Sequence, residues 1–415
     1  MRAMRAVPAV RTRDEHSVLG ARVRWARNLR SRLAQDVARE AGLSVASLSR
    51  IEKADESFLS FEALSALSSA LSVPMDWLTE EPRAYSSDQG TLFRANSKMT
   101  KRSQETVKTW KMLLAEMLAT LDRSITLLPT TLVTRKGPVD PVEAATAVRD
   151  SMDLRSDEPV GHLMRSLESL GIFIGVHPFD EELHLRNHDA SSGWYNLDTG
   201  RAVPIVLCRE HSSWERTRFS VAHEAGHLAM HRHGSGADRE AEATSFAAEL
   251  LMPHEQLSRE WPTRVTIHNL LPLKRRWGVS IAALIQQGYR HGLVSEDRRV
   301  SLFKQLSNGR DPATGQRWRI REPGADERQV ERPLLIANAL EVAYGTPPDL
   351  DALFSELPST RDREWYSDFL PNFSCTWSRN LRNPTHRTPA VPPKADNVVS
   401  IIDYADLRRS QAHRE

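Results

Sequence analysis

The stretch Arg218-Phe-Ser-Val-Ala-His-Glu-Ala-Gly-His-Leu-Ala-Met230 carries more chemistry than any other in this chain of 415 residues. Its histidines, His223 and His227, stand four apart, so on a helix they project from one face and can grip a single tetrahedral ion. Glu224 then lies beside the coordination position that such an ion leaves open. A bare His-Glu-x-x-His pattern is only suggestive, so its flanks have to support it. Arg218 to Ala222 and Leu228 to Met230 supply the apolar faces of a buried helix, and β-rich stretches come just before it.

A catalytic zinc site takes three protein side chains and keeps one position for water. Downstream, the candidates for the third ligand are His231, His233, Glu240 and Glu242. His233 has the spacing found in metzincins, but Met230 stands where that pattern needs a glycine to turn the chain. Glu240 opens a helical run to Pro253 whose core face contains Ala243, Ala247, Leu250 and Leu251, and it lies at the edge of that face. Glu242 falls with Glu249 on the side expected to meet solvent. Glu240 is therefore the expected third ligand, with Zn2+ as the cofactor.

Working outward, length alone calls for two or three domains. From Leu19 to Leu78 apolar residues recur at helical spacing in short blocks divided by turn signals, the pattern of a bundle of short helices. Glu80 to Ser97 is polar, with Pro82 and Gly90, and reads as a linker. Lys101 to Leu128 has no Gly or Pro, and Val107, Trp110, Leu113, Leu114, Met117 and Leu121 repeat with a 3.6-residue period, which predicts a connecting helix with one buried face. Residues 140 to 300 read as a mixed α/β unit, with helices at Pro141 to Met152 and Pro159 to Leu170, and strands at Ile172 to His177, Trp194 to Leu197 and Val203 to Leu207. Helices are expected at Arg239 to Leu251, Ile267 to Trp277, Ile281 to Tyr289 and Pro333 to Tyr344, and the proline-rich end after Asn372 is expected to be disordered.

The first fifty residues hold eleven Arg against four acids, a balance of +7 in a chain whose net charge is +2. Such a segment favours a polyanion. Within it, Asp36-Val-Ala-Arg-Glu-Ala41 ends at Gly42, which can take the left-handed turn that stops a helix, and Ser44 can cap the next one. On that second helix Leu48 and Ile51 face inward while Val45, Ala46, Ser49, Arg50 and Lys53 face out. The segment resembles the Cro/XRE-type repressors over roughly residues 18 to 79: Gly20-Ala-Arg-Val-Arg leads in, Val-Ala-Arg-Glu-Ala-Gly-Leu-Ser44 makes the turn, and Leu48-Ser-Arg-Ile-Glu52 closes the motif. The resemblance implies double-stranded DNA as a partner, a structural Arg27–Glu52 pair, and Ser44, Val45, Ala46, Ser47, Ser49, Arg50 and Lys53 as the DNA-facing set. Val45, Ala46 and Ala34 depart from the polar residues common in that family. Small apolar groups touch a thymine methyl but form no bidentate bonds to purines, so discrimination rests on Ser47, Ser49 and Arg50.

Three ordered stretches, Arg218 to His227, Phe246-Ala-Ala-Glu-Leu-Leu-Met-Pro253 and Leu273-Lys-Arg-Arg-Trp-Gly-Val-Ser280, resemble the ImmA/IrrE family of metallopeptidases over about residues 140 to 323. The resemblance implies His223, His227 and Glu240 as metal ligands and Glu224 as catalytic base, with Thr244 replacing a common Asn. The expected fold is multidomain: an all-α helix-turn-helix bundle, an α+β zincin-like metallopeptidase domain and a helical C-terminal extension. The limits read from the sequence are a basic arm over 1–17, the helix-turn-helix domain over 18–82, a linker and connecting helix over 83–139, the peptidase domain over 140–323, the extension over 324–372 and a tail over 373–415. Lys274 to Tyr289 also reads as a second helix-turn-helix or as packing against the peptidase core.

The function these parts imply is a DNA-binding transcriptional regulator with a zinc-dependent endopeptidase that cleaves a protein substrate such as a helix-turn-helix repressor, with a homodimer allowed. The alternatives are a regulator whose peptidase-like domain senses without turnover, and a toxin-antitoxin or phage-defence component. Tyr195, His231 and His233 are candidate donors to the oxyanion of the reaction, and the strand Val203 to Leu207 is a candidate edge for an extended substrate. A charged fraction of 27% without a long apolar run excludes a membrane-spanning helix. No secretory signal is read in the basic start, and Cys208 and Cys375 form neither a disulfide framework nor a cysteine metal cluster, so a cytoplasmic location is expected.

Overall fold

The computed structural model describes residues 15–87, 100–134, 137, 139–177, 188–210, 213–232 and 238–357. The expectations for the arm up to residue 14, for His233 and Cys375, and for the chain from residue 358 on lie outside the described residues.

The N-terminal part contains β1 (Glu15–Leu19), α1 (Gly20–Leu29), α2 (Ala34–Glu40), α3 (Val45–Lys53), β2 (Glu56–Ser60), α4 (Phe61–Leu71) and α5 (Met75–Thr79). Gly42 has φ of 66°, and the chain reverses there, with Leu43 N–H donating to the Ala38 carbonyl at 2.8 Å. Ser44 then accepts from Ser47 N–H at 3.0 Å and caps α3. The bundle also holds an antiparallel ribbon that periodicity did not reveal, since β1 pairs with β2 from Glu15 opposite Ser60 to Leu19 opposite Glu56.

Past α5, the polar stretch read as a linker contributes a strand. β3 (Ala84–Ser86) pairs antiparallel with β5 (Ala190–Leu197), giving a four-stranded sheet in the order β3-β5-β6-β4, with β4 (Phe173–His177) parallel and β5 antiparallel to β6 (Ala202–Arg209). β6 therefore lies inside the sheet, with Ile205 to Leu207 paired on both sides, and the expectation that Val203 to Leu207 offers an edge to substrate is corrected. Alternation along the strands divides the core. Phe173, Tyr195, Leu197, Val203, Ile205 and Leu207 join the core of the N-terminal bundle. Ile174, Val176, Trp194, Val206 and Cys208 face a second core, formed with the helices that follow.

These helices are α7 (Pro141–Ser151), α8 (Leu163–Glu168), α9 (Trp214–Met230), α10 (Arg239–Leu251), α11 (His254–Glu260), α12 (Ile267–Trp277), α13 (Ile281–Arg290) and α14 (Glu296–Asn308). The turn between α12 and α13 has helix-turn-helix shape, yet it belongs to this second core. Lys274 is buried and bonds to Glu215 and Glu322, and Glu322 also accepts from the first amides of α13. The extension adds α15 (Leu335–Tyr344) and α16 (Leu350–Glu356), whose Ile336, Leu340 and Leu353 join the first core. Among the described residues no helix is long and apolar enough to cross a membrane.

The connecting helix α6 (Lys101–Ser124) differs from its expected single buried face: every residue from Thr109 to Leu121 is buried. It runs between α1 and the sheet. Small residues such as Ala115, Ala119 and Thr120 let neighbours approach, and its charges are satisfied internally. Arg22 of α1 and Glu116 of α6, both without solvent exposure, form a two-bond ion pair with each bond at 2.8 Å. Arg22 also donates to the carbonyls of Glu80 and Glu81, and Glu116 accepts from Arg83 N–H at 3.1 Å. Removing one member of such a pair strands the other without water. Glu116→Ala is expected to lower unfolding free energy by about 3–5 kcal/mol in urea titration. Breaking the exposed Arg155–Asp157 pair with Arg155→Ala should cost less than about 1 kcal/mol. Equal effects of the two would deny the buried pair its role.

Candidate metal centre and reading helix

Ser213 caps α9, whose buried face of Val221, Ala222, Ala225, Leu228 and Ala229 packs into the second core. The opposite side presents His223, Glu224 and His227. α10 crosses close by because Gly226 has no side chain: a Cβ there would stand 2.8 Å from Phe246 Cδ1. That approach brings Glu240, in the first turn of α10, over the two imidazoles. Glu240 Oε1 is 3.0 Å from His227 Nε2, Glu240 Oε2 is 3.4 Å from His223 Nε2, and the two Nε2 atoms are 3.1 Å apart.

These separations can be tested against an ion. Four donors at zinc distances in a tetrahedron stand roughly 3.3 Å from one another. The observed set falls close to that edge length, and both ring nitrogens turn toward the carboxylate, so the three residues fit one divalent ion. Hydrogen bonds from His223 and then His227 hold the Glu240 carboxyl far below its usual range. Burial, the largest influence on His223, disfavours its charge, but the bond to Glu240 and the charges of Glu224 and Glu240 raise its pKa nonetheless. The Glu240 side chain is 41% exposed, which leaves the centre open to solvent on that side.

Glu224 Oε2 accepts a 2.6 Å bond from Ser192 Oγ of β5. Buried Lys111 of α6 donates to the carbonyl of the same Ser192 at 2.7 Å. Trp194 Nε1 ties β5 to α9 through the Leu228 carbonyl. Neither Ser192 nor Lys111 is marked by spacing or composition; a serine on a separate strand, 32 residues before Glu224, gives no local signal. Thr244, in place of the expected Asn, reaches the outer nitrogen of His223 at 3.4 Å, a long contact.

Other candidates fall elsewhere. Tyr195 is buried on the far side of the sheet, in the first core, and cannot serve an oxyanion at this centre. His231, 2% exposed, is bonded to His227 and to Glu242 and does not face the ion position. Glu242 turns to His231 rather than to solvent, and Glu249 is buried. Glu249 instead meets His254 and His291, but those two rings stack at 4.5 Å with planes only 13° apart. Lone pairs in nearly parallel planes do not converge on one point, and Glu249 is already engaged by His254 and Gln287.

In the N-terminal bundle α3 and its cap present Ser44, Val45, Ala46, Arg50 and Lys53 to solvent, with Ser47 and Ser49 half-buried beside them. Leu48, Ile51 and Glu52 are buried beneath. Arg27 grips Glu52 through Nε and Nη2, the latter at 3.0 Å from Oε2, so the pair implied by the resemblance is formed. It locks α1 against the end of α3 and fixes the angle at which α3 stands out from the bundle.

Comparison with known families matches residues 167–287 to the IrrE N-terminal-like domain and residues 23–78 to the Helix-turn-helix family. No curated protein matches the chain at a significant level. The first region contains the whole triad and its helices, and the second contains α2, the turn and α3. In these two regions the chain is thus similar to a Cro/XRE-type helix-turn-helix and to an IrrE/ImmA-like peptidase domain.

Proposed function

We propose that this protein is a DNA-binding transcriptional regulator with a zinc-dependent endopeptidase, acting by regulated cleavage of a repressor-type protein in the cytoplasm. The observation that carries the reading is the convergence of His223, His227 and Glu240 on one point, with the carboxylate of Glu224 adjacent and unshared by that set. A zinc ion bound there supplies Lewis acidity, lowering the pKa of water and polarising a carbonyl. Glu224 takes the proton released by the attacking water and passes it to the leaving amine. Ser192 holds one carboxylate oxygen, which leaves the other free for that proton.

The exposed face of α3 is the surface that would enter a major groove, with Arg50 and Lys53 supplying charge and Ser47 and Ser49 short polar contacts. Binding to a two-fold operator would call for a homodimer. The alternative, a sensor that binds metal without turnover, shares every feature except the use of Glu224.

Wild-type protein should contain about one zinc per chain by elemental analysis, and His223→Ala should lose it. Glu224→Gln should retain the metal and cut at least about a hundredfold more slowly, read as the half-life of a co-expressed repressor. Unchanged half-life and unchanged reporter repression in Glu224→Gln would establish the sensor instead.

On random duplex DNA, affinity should fall steeply with added salt, and Arg50→Ala should weaken binding and reduce the salt slope by about 1. A salt-independent affinity would rule out direct phosphate contact by this helix.

A further inference from the structure

His231 and Glu242 belong to no part of the ligand set, yet they are bonded to it in an order that chemistry fixes. His227 turns Nε2 toward Glu240 and His223, so in a metal-bound centre its proton must sit on Nδ1. That Nδ1 is 2.9 Å from His231 Nδ1. One of the two nitrogens has to accept, and only His231 can. The single proton of neutral His231 is then on Nε2, which stands 2.8 Å from Glu242 Oε2, an acceptor. Every group in the row has one role, and the burial of His231 keeps water from substituting for any of them. Among the described residues the outer nitrogen of His223, by contrast, meets the Thr244 hydroxyl at a long 3.4 Å.

The geometry points to His231 as a positioning residue for the ligand His227, with Glu242 as the acceptor that fixes the His231 tautomer. This rests on the zinc reading above and specifies how the centre is held. A ring whose far N–H is bonded to a good acceptor is fixed in orientation and is a more basic ligand through its other nitrogen. Sequence spacing supports the arrangement: His223 and His227 lie four apart on α9 and His231, four further on, is its C-cap, while Glu240 and Glu242 share the first turn of α10. Two carboxylates of one helix thus serve one metal position, Glu240 directly and Glu242 through two imidazoles.

The test uses the full-length protein and zinc alone, with affinity measured by competition against a chromophoric chelator. His231→Phe and Glu242→Ala should each weaken zinc binding about 10- to 100-fold. His231→Gln, whose side-chain carbonyl can accept the same bond, should recover most of the loss. Nitrogen NMR of the wild-type rings should show His231 protonated on Nε2 and His227 on Nδ1 in the zinc-loaded protein, a readout that does not depend on any variant folding. Wild-type binding with both Phe and Ala variants unchanged, or His231 protonated on Nδ1, would overturn this role while leaving the metal centre intact. A wild type that binds no zinc would overturn the centre and this inference together.

Discussion

Two helices meet where Gly226 faces the ring of Phe246, and the distance between them there sets the geometry of everything above. A methyl group at residue 226 would collide with the ring, so any larger side chain would lift α10 from α9. Glu240 sits on the first turn of α10, some distance along the helix from this contact, so a small separation at the crossing is passed on to the carboxylate. Phe246 is itself fully buried in the second core, to which Val221, Ala222, Ala225 and Leu250 also belong, and its ring cannot yield without opening that core. A triad whose donors must agree to within tenths of an ångström is thus held by packing before any ion contributes.

The sheet supplies the second fixed element. Trp194 anchors β5 to α9 through the Leu228 carbonyl, and Ser192, two residues earlier on the same strand face, meets Glu224. The strand in turn is held by Lys111, whose ammonium ends on the Ser192 carbonyl inside the protein. A buried lysine needs its donors satisfied, and here that requirement links the helix beneath the sheet to the acid above it.

What could be read from the sequence was local. The four-residue spacing of His223 and His227, the glycine and serine that bracket the turn at Gly42 and Ser44, and the edge position of Glu240 all follow from helical geometry within a few residues. The failures are pairings between distant segments. β1 and β2 meet across the whole helix-turn-helix, and β3 joins a sheet whose other strands come much later in the chain, so neither had a neighbour in sequence to reveal it. The burial of α6 was hidden because Lys111 and Glu116 look like solvent-facing residues until Ser192 and Arg22 are brought to them. Glu242 reads as solvent-facing on the same reasoning, yet it faces His231. Charged residues are misplaced by pattern rules wherever their partner is far away in the chain.

The enclosure of α6 has a geometric corollary. One end of the core it fills is the bundle that bears α3, and the other is the sheet that bears Ser192, with the Arg22–Glu116 pair as a rivet between them. The two halves are therefore not beads on a flexible string. A duplex lying against α3 would share its frame with the triad, and rotating about the DNA axis would carry both together.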